Sequence, residues 1–129
     1  MPYAAAVLPK AQIDRQLARL RKICGLLPEA AVEPVGQHHS LLVRGKKFGY
    51  HLVDHHGDDR VSVQCKAEPG LNATLVAADA ARFFLPPYMA RHGWIGIWTD
   101  VGTVDWDELE AFLTDAYRLT APKRLAAQV

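Results

Sequence analysis

Six His, two Cys and a crowded run of cations are the side chains of this chain with most capacity for chemistry. The histidines are His38, His39, His51, His55, His56 and His92. Neighbouring strand residues point to opposite faces, so His38 and His39 cannot serve one metal ion without a bulge. His55-His56 beside Asp54, Asp58 and Asp59 offers ligands but no spaced set of the kind zinc sites use. Cys24 and Cys65 are far apart and fall on apolar faces, which reads as two buried free thiols. Ser40 and Ser62 sit in strand patterns rather than at a nucleophile elbow. His92 beside Tyr88 and Arg91 makes a small polar cluster to which no reaction class attaches. The expectation is a protein that is not an enzyme, with no catalytic residue, metal or cofactor.

Binding chemistry has more to work with. Arg44, Lys46 and Lys47 crowd one turn, and Lys66 is expected on the same exposed face as Lys47. Mobile cations on a convex edge suit phosphate contacts. A solvated hairpin explains the same residues, because edge lysines also block aggregation. A second turn holds Asp54, Asp58 and Asp59 against Arg60, which disfavours phosphate there. If Ile95 and Ile97 face inward, Trp94 and Trp98 share the outer face with Lys47, His51, Gln64 and Lys66. Aromatic rings among cations suit stacking on unpaired bases. They equally suit a protein-binding hot spot or a homodimer contact, and burial in the core is the plainer outcome. The candidate nucleic-acid-binding set is therefore Arg44, Lys46, Lys47, His51, Lys66, Arg91, Trp94 and Trp98. Arg15, Arg19 and Lys22 form a further basic stripe, read as a solvated helix face.

These residues need a scaffold. Ile13, Leu17, Leu20, Cys24 and Leu27 recur at helical spacing and predict a helix over Lys10 to Leu27, with Pro28 stopping it. A short edge strand is expected around Ala31 to Glu33. His39 to Arg44 and Lys47 to Asp54 read as a hairpin turning at Gly45-Lys46. That turn puts Leu41, Val43, Phe48, Tyr50 and Leu52 on the inner face, with Ser40, Leu42, Arg44, Lys47, Gly49, His51 and Val53 opposite. Val61, Val63 and Cys65 point inward from a third strand. Leu71 to Ala78 forms a short helix, and Trp94 to Thr99 a strand. Phe83, Phe84, Pro86, Pro87 and Tyr88 read as a stiff apolar hinge that seats this strand. Asp105-Trp106-Asp107-Glu108 opens a last long helix with a capping-box-like pattern, and Trp106, Leu109, Leu113, Ala116 and Tyr117 form its stripe. Alternating strands need cover on one face only, which two long helices can supply. The fold class is α+β: an antiparallel sheet with two long helices packed on one face.

At 129 residues, half of them hydrophobic and 22% charged, the chain is large enough for one domain with its own core. A net charge of +1 gives no global nucleic-acid signature, so any basic site must come from local clustering. No apolar run approaches the length of a membrane span. Residues 1–9 lack a basic n-region and a cleavage pattern and read as a flexible N-terminal arm, with one domain over 10–129. A cytoplasmic location is the expectation.

Six segments carry a resemblance. They are Val43-Arg44-Gly45-Lys46-Lys47-Phe48, His55-His56-Gly57-Asp58, Cys65-Lys66-Ala67, Phe83-Phe84-x-Pro86-Pro87-Tyr88, Gly93-Trp94-Ile95-Gly96 and the run from Tyr117-Arg118-Leu119 to Lys123-Arg124-Leu125. Together, and in this order, they resemble the bacterial MmcQ/YjbR family. The resemblance implies a CyaY-like, frataxin-like α/β sandwich. It also implies DNA binding through two wing-like hairpins, as the family is commonly described. Frataxin-like proteins use the sheet face for partner proteins, which the resemblance carries over as the alternative. Frataxin-type iron handling needs an acidic ridge on the first helix, and here that helix is basic with only Asp14.

Overall fold

The structure, a computed structural model, describes residues 7–129, so most of the arm read at 1–9 lies outside the described residues. The first helix, α1 (Lys10–Gly25), starts where the Pro9 carbonyl accepts from the Gln12 and Ile13 amides. It buries Leu20 and Cys24 of the expected apolar stripe, and also Ile23 and Gln16. Six strands follow in one antiparallel sheet: β1 (Ala30–Val35), β2 (His38–Val43), β3 (Lys46–Val53), β4 (Val61–Cys65), β5 (Phe83–Phe84) and β6 (Ile95–Trp98). Their spatial order is β1-β2-β3-β4-β6-β5. The short helix α2 (Leu71–Ala78) has the expected bounds and packs at the β5–β6 end. A long helix, α3 (Trp106–Thr120), and a terminal turn of helix, α4 (Lys123–Ala126), complete the chain.

Asp105 caps α3 by accepting from the Glu108 amide at 3.0 Å. Only this half of the expected capping box forms, because the Glu108 carboxylate is taken by Arg82. Leu109, Leu113, Ala116 and Tyr117 are the buried residues of α3, and Tyr117 meets Phe48 of β3 edge to face. The Tyr117 hydroxyl donates to the Pro28 carbonyl at 2.6 Å, tying α3 to the connection after α1. Both long helices thus cover one face of the sheet, and the α+β sandwich read from the sequence is the observed architecture. Burial of each large apolar side chain in this layer contributes about 1.5–3 kcal/mol.

The β2–β3 hairpin departs from the expected register. Its turn is Arg44-Gly45, not Gly45-Lys46, and both residues have positive φ, 50° and 78°, the geometry of a tight reversal matched to strand twist. Leu41 pairs with Gly49 but Leu42 pairs with Lys47, so Phe48 is an extra residue on β3. This bulge turns Phe48 and Gly49 to the same side. A Cβ on Gly49 would lie 3.1 Å from Leu41 and 3.4 Å from Leu113, so glycine suits this close approach. Every residue beyond the bulge changes face relative to the expected register. His51 therefore faces the helices, and Tyr50 and Leu52 face away from them.

Candidate functional site

The face opposite α1 and α3 is built from one cross-strand row. Ser40 pairs with Tyr50, Tyr50 with Gln64, Gln64 with Gly96, and Gly96 with Phe84. At the β5 end this face is filled by the chain's own rings. Phe84 lies over Gly96, where a Cβ would fall 2.2 Å from the ring, and stacks on Trp98 with centroids 4.0 Å apart. Arg60 covers Trp98 at 3.8 Å and is held there by a two-pronged pair of hydrogen bonds to Asp100, each 2.9 Å. Asp100 also accepts from the Val61 amide, and these bonds outweigh burial in holding its carboxyl below the ordinary range.

Toward β2 and β3 the same face opens into a cleft of about 400 Å³. Its floor is Ser40, Tyr50, Leu52 and Gln64; Val35, His38 and Lys47 stand on the strand side. His55 and His56 close one end, and Pro87, Tyr88 and Met89 form a wall. Tyr88 has φ 66° and is 85% exposed, so the segment after Pro86-Pro87 presents its ring to solvent at the rim. Lys47 Nζ lies 5.7 Å from the centroid of the Tyr50 ring. His38 Nδ1 accepts from the Val53 amide at 3.1 Å, which makes Nε2 the proton-bearing atom of the neutral ring. Burial, followed by the neighbouring His55 and His56, lowers the His38 pKa. The loop that carries His55 and His56 is braced by its own acids: Asp54 accepts from the Asp59 amide and Asp58 from the Arg60 amide.

Of the eight residues expected to contact nucleic acid, four are engaged within the chain. His51 is fully buried under α1, because the bulge reverses its face. Its Nε2 donates to Gln16 Oε1 at 3.0 Å, and Gln16 is fixed by the Thr99 hydroxyl and carbonyl. Burial holds the His51 pKa down to about 4, with His39 and His38 adding to the effect. Trp94 does lie on the outer face with Trp98, as read from the strand pattern. It is only 5% exposed, however, with its ring 5.5 Å from Tyr50. Arg44 is clamped by Glu29 through bonds of 2.9 and 3.0 Å. Trp98 is half-buried beneath Arg60. Lys46, Lys47, Lys66 and Arg91 form no ion pair among the described residues.

Both thiols are buried, as expected, and burial pushes Cys24 up to about 11 and Cys65 to about 12. Among the described residues, no three His, Cys, Asp or Glu side chains converge to hold a metal ion. Sequence reasoning missed the cleft-forming role of Tyr50 and Leu52, which it assigned to the core, of Pro87 and Tyr88, read as hinge, and of Met89, which it gave no role. Gly49 inside a strand pattern was the available signal for the first error, since an isolated strand glycine marks a bulge.

Fold and site together define a class: a small α+β sandwich whose six-stranded antiparallel sheet is covered by long helices on one face and bears a cleft on the other. Within that class the chain belongs to the YjbR family, whose model matches residues 26–119. Among solved structures it is similar to the crystal structure of Deinococcus radiodurans protein DR2400, described with the DUF419 domain. The TM-score is 0.65 at 20% identity, covering 80% of this chain and 76% of that one. That likeness establishes the fold. A search of curated proteins found no match. No helix among the described residues is long and apolar enough to cross a membrane.

Proposed function

We propose that this chain is a non-enzymatic binding module that receives its partner on the sheet face opposite the long helices. The observation that carries the reading is the cleft between the Ser40-Tyr50-Gln64 row and the Pro87–Met89 wall. Its size and mixed lining match small ligand sites, and exposed Val35 and Tyr88 flank it. Burial holds both thiols protonated, which supports reading neither Cys24 nor Cys65 as a nucleophile. The test is a fragment library screened by amide chemical shifts. Hits should move Ser40, Tyr50, Leu52, Gln64 and Met89 together. A library whose hits all map to the helical face refutes the reading.

A second reading is weak, phosphate-driven DNA binding, supported by the unpaired Lys46, Lys47, Lys66 and Arg91. Burial of Trp94 and His51 leaves it electrostatic rather than a stacking mode. Fluorescence anisotropy with single- and double-stranded oligonucleotides should then show affinity falling steeply with salt, and a Lys46→Ala, Lys47→Ala double variant should flatten the slope. No binding at low salt ends this reading.

A further inference from the structure

The cleft contains two polar side chains whose hydrogen-bonding capacity the protein does not use. Ser40 is 2% exposed and Gln64 is 8% exposed, yet neither side chain hydrogen-bonds to any described residue. Neither belongs to the sealed and unpaired buried atoms, which are His39 Nδ1 and His51 Nδ1, so their polar atoms border the cleft rather than solid protein. Both side chains are thus more than nine-tenths buried yet open to the cleft, where a ligand group can take their hydrogen bonds. The two residues flank Tyr50 in a single cross-strand row, so their side chains rise from the floor on either side of it.

The charge of the lining indicates what those donors meet. Among the described residues that line the cleft, Lys47 is the one permanently charged side chain, and none is a carboxylate. Lys47 makes no ion pair among the described residues. The His38 ring adds a donor at Nε2, with His55 edge-on to it at 5.2 Å. Asp54 and Asp58 act on His38 from outside the cleft, but their carboxylates are engaged with the loop's own amides. Apart from His56, the remaining lining is apolar: Val35, Leu52, Pro87 and Met89 with the Tyr50 and Tyr88 rings.

Resting on the reading of this cleft as the binding site, we infer that its occupant is a small organic anion: an apolar body carrying one carboxylate, sulfonate or phosphate. The body lies on Leu52 and Tyr50 against the Pro87–Met89 wall. The anionic head takes Lys47, and the Ser40 hydroxyl and the Gln64 amide bond the occupant from either side of Tyr50. A pocket with this division fixes orientation through few polar contacts and affinity through apolar area. The charge-assisted bond to Lys47 is the strongest of the polar set.

The probe pair is 8-anilinonaphthalene-1-sulfonate and its neutral analogue N-phenyl-1-naphthylamine, each titrated into the intact chain by fluorescence and by amide shifts. The sulfonate should bind at least about tenfold more tightly and move Ser40, Tyr50 and Gln64. Lys47→Gln, a change at an exposed position, should weaken the sulfonate about fivefold to tenfold and leave the neutral probe unchanged. Ser40→Ala with Gln64→Leu should do the same, with urea unfolding showing that the variant is folded. Equal affinity of the two probes at the cleft overturns the anion assignment and leaves the binding reading standing. Failure of both probes to move cleft residues overturns both. A concentration-dependent dimer that protects the same amides overturns the assignment in favour of a second copy of the chain.

Discussion

Lowering the pH should expose His51 as a specific acid-sensitive element of the fold. The ring is fully buried, with Nε2 donating to Gln16 Oε1 and Nδ1 sealed without a partner. Protonation would place an N–H and a charge at Nδ1 where nothing accepts them, which is why burial lowers its pKa from 6.5 to about 4. Because the folded value is the lower one, stability is complete above pH 6.5 and declines as pH falls toward 4. In that window the unfolded chain takes up a proton that the folded chain refuses. The full effect is about 3 kcal/mol, at ~1.4 kcal/mol per pH unit, and about 2 kcal/mol of it is lost by pH 5. Burial lowers His38 and His39 as well, so the wild-type slope contains their shares. The assay is urea unfolding at pH 7.5, 6, 5 and 4.5 for wild type and His51→Leu, which removes the titrating ring and retains the Gln16–Thr99 bonds. The variant should lose about 2 kcal/mol less than wild type between pH 7.5 and 5, whatever its stability at neutral pH. Parallel curves would refute the argument, showing that His51 titrates alike in both states.

Arg60→Ala should cost about 1–3 kcal/mol in urea unfolding and red-shift Trp98 emission, because it removes both the Asp100 pair and the cover over the ring. Gly96→Ala should destabilise by about 1–3 kcal/mol, since its Cβ would meet the Phe84 ring at 2.2 Å. Phe84→Leu in the same chain should recover part of that loss, and a double-variant cycle without coupling would count against the contact. Ellman's reagent should leave both Cys24 and Cys65 unmodified in the native protein and titrate two thiols in denaturant.

Helical periodicity made much of the fold legible. The stripes of α1 and α3 needed only the 3.6-residue repeat; Asp105 marked a start that the structure uses, while α1 ends at Gly25, two residues before the expected Leu27. Alternation in β4 and β6 correctly turned Val63, Cys65, Ile95 and Ile97 inward and both outer tryptophans away. The β2–β3 hairpin failed at one residue. Arg44 and Gly45 both accept positive φ, and the cost of Arg44 doing so is local strain set against its bond to Glu29. Shifting the turn and inserting Phe48 moved His51 from a presumed phosphate contact to the buried core. Tyr50 and Leu52 moved the opposite way, into the site. The two-residue strand β5 escaped notice because its pairing to β6 is a tertiary choice with little local pattern.

The amino-acid sequence by itself determined the helices, most of the strands, the side of the sheet on which the tryptophans lie, and the family. Local periodicity and residue type are sufficient for those, because each depends on contacts repeated every two to four residues. Only the tertiary structure decided which outer-face side chains remain available. Accessibility depends on what distant segments lay over them. Arg60 comes down on Trp98, Phe84 fills the space above Gly96, Glu29 takes Arg44, and Pro87–Met89 raise a wall beside Ser40, Tyr50 and Gln64. A one-residue bulge has no periodic signature, yet it reverses the side chains of β3 after it, and so it decided much of what the cleft is made of.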